Sequence, residues 1–254
     1  MIQSEFDLSG RRVLVTGGSG ELGFAMANAL ARAGATVILT GRDRDKLDRA
    51  VADLSDQSYK AEAHTCDLLH PDQVGRLIRD LEAQGAIDAL INNAGIQKRG
   101  PLASVSLADW DRMIGTHLTA PFVLAQCVSS AMMKRKRGRI INILSIASEL
   151  GRSGIVPYTA AKGGLKMLTR GLAAELGPFN IQVNGIAPGY FRTQMNKSLF
   201  EDPKFNAWVC ARTPLGRWAE PSELAGAAVF LASDASSFMT GQVLYVDGGL
   251  TASV

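Results

Sequence analysis

The chain has 254 residues, 46% of them hydrophobic and 20% charged, with a formal net charge of +3. That length suits one α/β domain with a sizeable core, and so small a charge argues for neither nucleic acid nor a membrane surface as partner. No apolar run approaches the roughly 18 residues of a membrane span, and residues 1–12 lack the apolar core of a signal peptide. Cys66, Cys127 and Cys210 are odd in number and form no CxxC pair, so neither a disulfide framework nor a zinc site is expected, and a cytoplasmic setting is.

Residues 11–16 (RRVLVT) read as a buried strand, followed by a helix over 22–33 in which small and apolar residues recur at helical spacing. A strand at 36–40, a charged helix at 43–54, a weaker strand near 59–66, a helix at 71–83 and a strand at 87–92 follow. A long helix is then expected over 108–134, ending in the basic run Lys134-Arg135-Lys136-Arg137, which reads as a solvated helix end where cations suit the dipole. A strand at 139–144, a helix at 158–176, a strand at 181–186, a helix at 221–232 and a last strand at 243–246 complete the chain. Near-continuous apolar strands between helices imply a parallel sheet covered on both faces, hence a single-domain α/β, Rossmann-like doubly wound fold. The one long irregular stretch, 188–214, is expected to serve as a substrate lid.

Between the first strand and its helix lies Thr16-Gly17-Gly18-Ser19-Gly20-Glu21-Leu22-Gly23. Glycines in a strand–turn–helix let the backbone approach a pyrophosphate, whose charge the helix N-terminus stabilises. Gly17, Ser19, Gly20, Leu22 and Gly23 are therefore candidate dinucleotide contacts. Where NAD-binding folds carry an acid for the ribose hydroxyls, this chain reads Thr40-Gly41-Arg42. An arginine suits a 2′-phosphate through charge-assisted hydrogen bonds, so NADP is the expected cofactor and NAD the alternative, with Arg44 a second candidate for the phosphate.

Tyr158 and Lys162 stand four residues apart, on one face of a helix. A free phenol titrates near about 10, and a neighbouring ammonium favours the phenolate. Lys162 is expected to supply that charge while holding the nicotinamide ribose. Tyr158 would then take the alcohol's proton in oxidation and return one in reduction. Ser145 follows the strand RIINIL at the edge where doubly wound folds bind ligands, and its hydroxyl can polarise a carbonyl. His64 and His70 lack partners at metal-ligand spacing, so no metal is expected.

With these residues the chain resembles the short-chain dehydrogenase/reductase family over essentially its whole length. The resemblance implies that Asn93, Ala94 and Gly95 line the adenine side and brace the sheet, and that Asp67 contacts adenine. It implies that Pro188, Gly189 and Thr193 grip the nicotinamide carboxamide, and that Asp247-Gly248-Gly249 closes the last strand. It also implies a homo-oligomer, usually a tetramer or dimer, built on the helices at 108–134 and 158–176. A narrower likeness, to the gluconate 5-dehydrogenases (5-keto-D-gluconate reductases), rests on Phe6-Asp7-Leu8, Ile96-Gln97-Lys98-Arg99, Ala187-Pro188-Gly189-Tyr190-Phe191, Arg212-Thr213-Pro214 and residues 235–254. It implies hydride transfer between nicotinamide and D-gluconate or its 5-keto form, with Arg99, Ser145 and Tyr158 meeting the substrate and Arg99 reaching its carboxylate. Another carbonyl substrate (a 3-oxoacyl chain, a ketosteroid or another sugar) and a cofactor-binding protein of low activity are the alternatives.

Two positions depart from the family pattern. Glu21 takes the middle glycine of T-G-x-x-x-G-x-G; glycines at 17, 20 and 23 match the spacing of the family's extended branch and still supply a tight turn, so cofactor binding is expected to survive, against the repulsion of a carboxylate beside phosphates. His117 stands where the family's active-site asparagine holds a relay water. A histidine titrates near neutrality, so His117 is expected to carry protons itself; the alternative is that its bulk displaces the relay water and lowers turnover. Trp208 and Met195 are candidates for lining the lid.

Overall fold

Short runs of Val, Ile, Leu and Ala form seven strands in the computed structural model, which describes residues 5–253. They are β1 (Arg12–Thr16), β2 (Thr36–Gly41), β3 (Ala61–Thr65), β4 (Ala89–Asn92), β5 (Gly138–Ile143), β6 (Ile181–Pro188) and β7 (Val243–Val246). All neighbours pair in parallel, in the order β3-β2-β1-β4-β5-β6-β7. Strand order reverses between β1 and β4, the switch point at which such sheets open a crevice beyond their C-terminal ends. The strand read as weakest is β3, an edge strand whose residues are only partly buried or exposed; an edge needs less apolar sequence.

The described residues form nine helices: α1 (Glu21–Arg32), α2 (Arg44–Ser55), α3 (Pro71–Gln84), α4 (Leu107–Ile114), α5 (Ala120–Arg135), α6 (Val156–Leu176), α7 (Lys197–Phe200), α8 (Pro203–Arg212) and α9 (Ala225–Ala232). Their starts follow local chemistry. Asp43 accepts from the Lys46 amide at the head of α2, Ser106 from the Asp109 amide at the head of α4, and prolines occupy the first turns of α3 and α6. On α3, Val74, Leu77, Ile78 and Leu81 form the buried stripe. Two apolar cores result, one on each sheet face. Met26, Leu30, Leu47, Leu54 and Leu231 pack on one side, and Leu77, Leu81, Leu124, Val128 and Leu176 on the other.

Two expectations need correction. The helix expected over 108–134 is not continuous, because Gly115–Thr119 forms one π turn between α4 and α5, with His117 buried in it. One extra residue per turn swings a side chain off the helix's regular face, and such bulges recur at functional sites. The 188–214 stretch is likewise not irregular throughout: it contains a 3₁₀ turn at Gln194–Asn196 and the helices α7 and α8. Asp202 caps α8, accepting from the amides of Lys204 and Phe205. The ring of Tyr190 packs edge-on against Phe205, Trp208 and Trp218, with centroids 5.7, 6.0 and 5.2 Å away. At the basic run, Lys136 adopts the left-handed conformation that ends α5, and Arg135 pairs with Glu82 at 2.7 Å. No helix among the described residues is long and apolar enough to cross a membrane.

Candidate functional site

The ends of β1, β2, β4, β5 and β6 open into one cavity of about 1030 Å³, spacious enough for a dinucleotide and a small substrate together. Its lining includes every candidate dinucleotide, catalytic and substrate residue named above, from Gly17 to Thr193, except Arg44. Trp208 and Met195 also line it.

The β1–α1 turn is built for close approach. Gly17 has φ +65°, and a side chain there would stand 2.9 Å from the Ala94 Cα. No side chain caps α1, whose N-cap is Gly20, so its first-turn N–H groups are left for a ligand. Asn93 locks this turn to β4 by donating to the carbonyls of Thr16 and Gly17 at 2.9 and 3.2 Å, while the Thr16 hydroxyl accepts from the amides of Asn93 and Ala94. Glu21 turns its carboxylate toward the lid, where it accepts from the Gln194 amide at 2.6 Å. The lid thus neutralises part of a charge that would otherwise face phosphates.

At the end of β2, Arg42 is exposed in the cavity wall. Arg44 instead pairs with Asp48 along α2 at 2.8 Å and lies off the cavity. Lys46, which sequence reasoning missed, takes the second cationic position in the wall. Its signal was its place on α2 four residues after Arg42. Asp67 lines the same end, and its carboxylate accepts from the Leu69 amide.

Ser145 sits just beyond β5 and caps a 3₁₀ turn, its oxygen accepting from the Ala147 amide at 3.1 Å. Burial pushes the Tyr158 phenol up; the facing Ser145 hydroxyl and the Arg99 charge pull it back down. Lys162 is buried and donates to the Ile143 carbonyl at 2.6 Å, with its nitrogen 5.6 Å from the Tyr158 ring centroid. Burial lowers its pKa to about 7. Its nitrogen thus stands over the Tyr158 ring, while the charge that pulls the phenol down is that of Arg99.

His117 departs further from expectation. Burial, reinforced by the Lys162 charge, drives its pKa down to about 3, so the ring is neutral across the physiological range and does not titrate near neutrality. Its Nε2 lies 2.8 Å from the Ile96 carbonyl and 3.1 Å from the Ile96 amide, its buried Nδ1 has no partner, and its ring meets Tyr158 edge-on at 5.1 Å. The room for an imidazole comes from Gly95, where a Cβ would stand 2.8 Å from the His117 Cε1.

On the lid side, Arg99 donates to the Met195 carbonyl at 3.1 Å and to the Asn196 side chain at 2.9 Å. Arg152 and Tyr190, also unforeseen, line this end of the cavity. His64 and His70 lie outside it, near Glu62 and Asp67 respectively. No cluster of metal-ligating side chains occurs among the described residues.

A dinucleotide crevice at the sheet's switch point, with a serine, tyrosine and lysine in its wall, matches what sequence comparison finds. Residues 19–251 match the family model described as "Enoyl-(Acyl carrier protein) reductase". The chain belongs to the short-chain dehydrogenase/reductase family. It is 49% identical to the gluconate 5-dehydrogenase of Gluconobacter oxydans (strain 621H) over 250 residues, 98% of each chain. It is 45% identical to the 5-keto-D-gluconate 5-reductase of Escherichia coli (strain K12), again over 98% of each. Among solved structures, a gluconate 5-dehydrogenase from Burkholderia cenocepacia J2315 in complex with NADP and tartrate superposes with a TM-score of 0.97, at 44% identity and 100% coverage of both chains.

Proposed function

We propose that the protein interconverts a secondary alcohol and a ketone with NADP(H), and that its substrate pair is D-gluconate and 5-keto-D-gluconate. The observation that carries the reading is that Ser145, Tyr158, Lys162 and Arg99 line the same cavity as an uncapped helix N-terminus. The names of the three relatives given above supply the substrate.

The crevice fits a dinucleotide: the Gly17 cradle admits no side chain, and α1 presents free amides. Gly17, Ser19, Gly20, Leu22 and Gly23 would hold the pyrophosphate, Asp67, Asn93, Ala94 and Gly95 the adenosine side, and Pro188, Gly189 and Thr193 the carboxamide. Arg42 and Lys46 would select the 2′-phosphate. NADP(H) supplies or accepts the hydride. Ser145 would donate to the substrate oxygen as it gains charge. Tyr158 remains a phenol at neutral pH because it is buried, which makes it ready to donate its proton in reduction. Lys162 spends one proton on Ile143 and would offer the other two to the nicotinamide ribose. His117 would stay neutral beside the Tyr158 ring, with Nδ1 its one ring nitrogen left for a hydrogen bond.

Free thiols at Cys66, Cys127 and Cys210 suit the reducing cytoplasm. Exposed Trp110, Phe122 and Met167, one each on α4, α5 and α6, support a homotetramer. The test of function is initial rates with 5-keto-D-gluconate, a 3-oxoacyl thioester and D-fructose, each with NADPH and NADH. The fastest turnover is expected for 5-keto-D-gluconate with NADPH. A preference for either other carbonyl would overturn the substrate, and a preference for NADH the cofactor.

A further inference from the structure

The substrate end of the cavity brings together two guanidinium groups with no acid opposite them. Arg99 gives one N–H of each terminal nitrogen to a neutral lid acceptor, and its buried Nε has no partner. Arg152 lies in the 149–154 loop that follows Ser145. Its guanidinium carbon stands 5.1 Å from the Phe205 ring centroid, and its fork faces the Tyr190 hydroxyl. Among the described residues neither arginine forms an ion pair. Burial, and then the Arg152 charge, hold the Arg99 pKa down, so the two cations feel each other.

Two like charges on a half-buried wall repel, and burial strengthens the repulsion. An anion between them reverses its sign. A planar guanidinium suits a carboxylate because two parallel N–H groups meet its two oxygens. Phe205 and Tyr190 limit where the Arg152 fork can point, leaving less entropy to lose on binding. Attachment to the loop after Ser145 ties the distance between a bound carboxylate and the carbonyl-polarising hydroxyl to a short stretch of backbone. Arg99, which sequence reasoning put forward as the carboxylate ligand, already gives one N–H of each terminal nitrogen to the lid.

We propose that Arg152 is the residue that binds the substrate carboxylate and selects sugar acids over neutral sugars, with Arg99 contributing its Nε and anchoring the lid above. This rests on the sugar-acid reading of the same site. It assigns Arg99 a mixed duty, in which closure of the lid and capture of the acid share one side chain.

The test uses the enzyme–NADP⁺ complex, followed through the fluorescence of Trp208 in the lid. It is titrated at constant ionic strength with malonate, which has no hydroxyl to oxidise, and with neutral D-glucitol. Arg152→Met is expected to weaken malonate by about tenfold or more, the loss of a charged bidentate contact. Arg152→Lys, which keeps the charge without the fork, should lose less. In both variants NADP⁺ and D-glucitol should bind as in the wild type, and the KM for gluconate should rise with kcat unchanged. Malonate that fails to bind the wild type, that binds Arg152→Met equally well, or that is lost together with D-glucitol would each overturn the assignment. Loss of malonate in a variant of an enzyme that does not turn over gluconate would keep the carboxylate site and remove the gluconate reading. Gluconate turnover with an unchanged KM in Arg152→Met would do the opposite.

Discussion

The two ends of the cavity are made of different materials. The dinucleotide end is mostly backbone: the Gly17 turn, the free amides of α1, and the Asn93 and Thr16 bonds that tie β1 to β4. The substrate end is mostly side chain, with Arg99, Arg152, Tyr190 and Trp208 arriving from separate loops and a lid helix. Backbone recognition demands particular residues, because only glycine reaches φ +65° cheaply at so close an approach. Side-chain recognition demands only that a group of the right charge arrive, from any segment. One end is therefore fixed by sheet geometry, and the other is free to change with the lid.

Four substitutions break or sharpen this contrast. Tyr158→Phe removes the proposed proton donor at the junction of the two ends. It should lower kcat for ketone reduction by about 10²–10⁴-fold, while NADPH binding measured by fluorescence stays unchanged. Arg42→Asp acts on the dinucleotide end alone. It should raise the KM for NADPH about tenfold to a hundredfold and leave that for NADH near its original value; equal changes for both cofactors would remove the 2′-phosphate role.

Gly95→Ala tests packing where the ends meet. Its Cβ would stand 2.8 Å from the His117 Cε1, an overpacking worth about 1–3 kcal/mol. Thermal denaturation should show the loss, and adding His117→Asn to Gly95→Ala should recover most of it. His117 alone gives a smaller, pH-dependent effect. Its folded pKa of about 3 lies below the ordinary histidine value of 6.5. The unfolded chain therefore binds the extra proton between those values, and this contribution is complete above pH 6.5 and lost as pH falls toward 3. The Tm of His117→Gln should fall less than that of the wild type between pH 7 and pH 5. An equal fall in both would show that burial does not hold the ring neutral.

What was legible in the chain follows the same division. Six of the seven strands are mainly apolar segments between turns and helices, with the edge strand β3 the exception, and the glycine turn, Asn93 and the Tyr158–Lys162 pair are spaced by backbone geometry. The π turn was not legible, because inserting one residue at Gly115–Thr119 leaves the helical period of Met113 and Leu124 nearly intact on either side. The lid helices hid for another reason. Phe205 and Trp208 pack on Tyr190, and Phe205 also on Trp218, so no single sheet-facing apolar stripe marks them. Asp202 before Pro203 was the one available start signal. Arg152, in a loop between Gly151 and Gly154, had none. The pairing of Arg44 with Asp48, which leaves Arg42 and Lys46 at the cavity, depends on rotamers that sequence does not carry.

The most direct test of the account is the pH dependence of kcat/KM in both directions. If the Tyr158 phenol gives and takes the proton, reduction should be level through neutrality and fall at alkaline pH, while oxidation should rise over the same range with one shared apparent pKa. Both limbs should vanish in the residual activity of Tyr158→Phe. Profiles that are flat in both directions, or that persist unchanged in Tyr158→Phe, would contradict it.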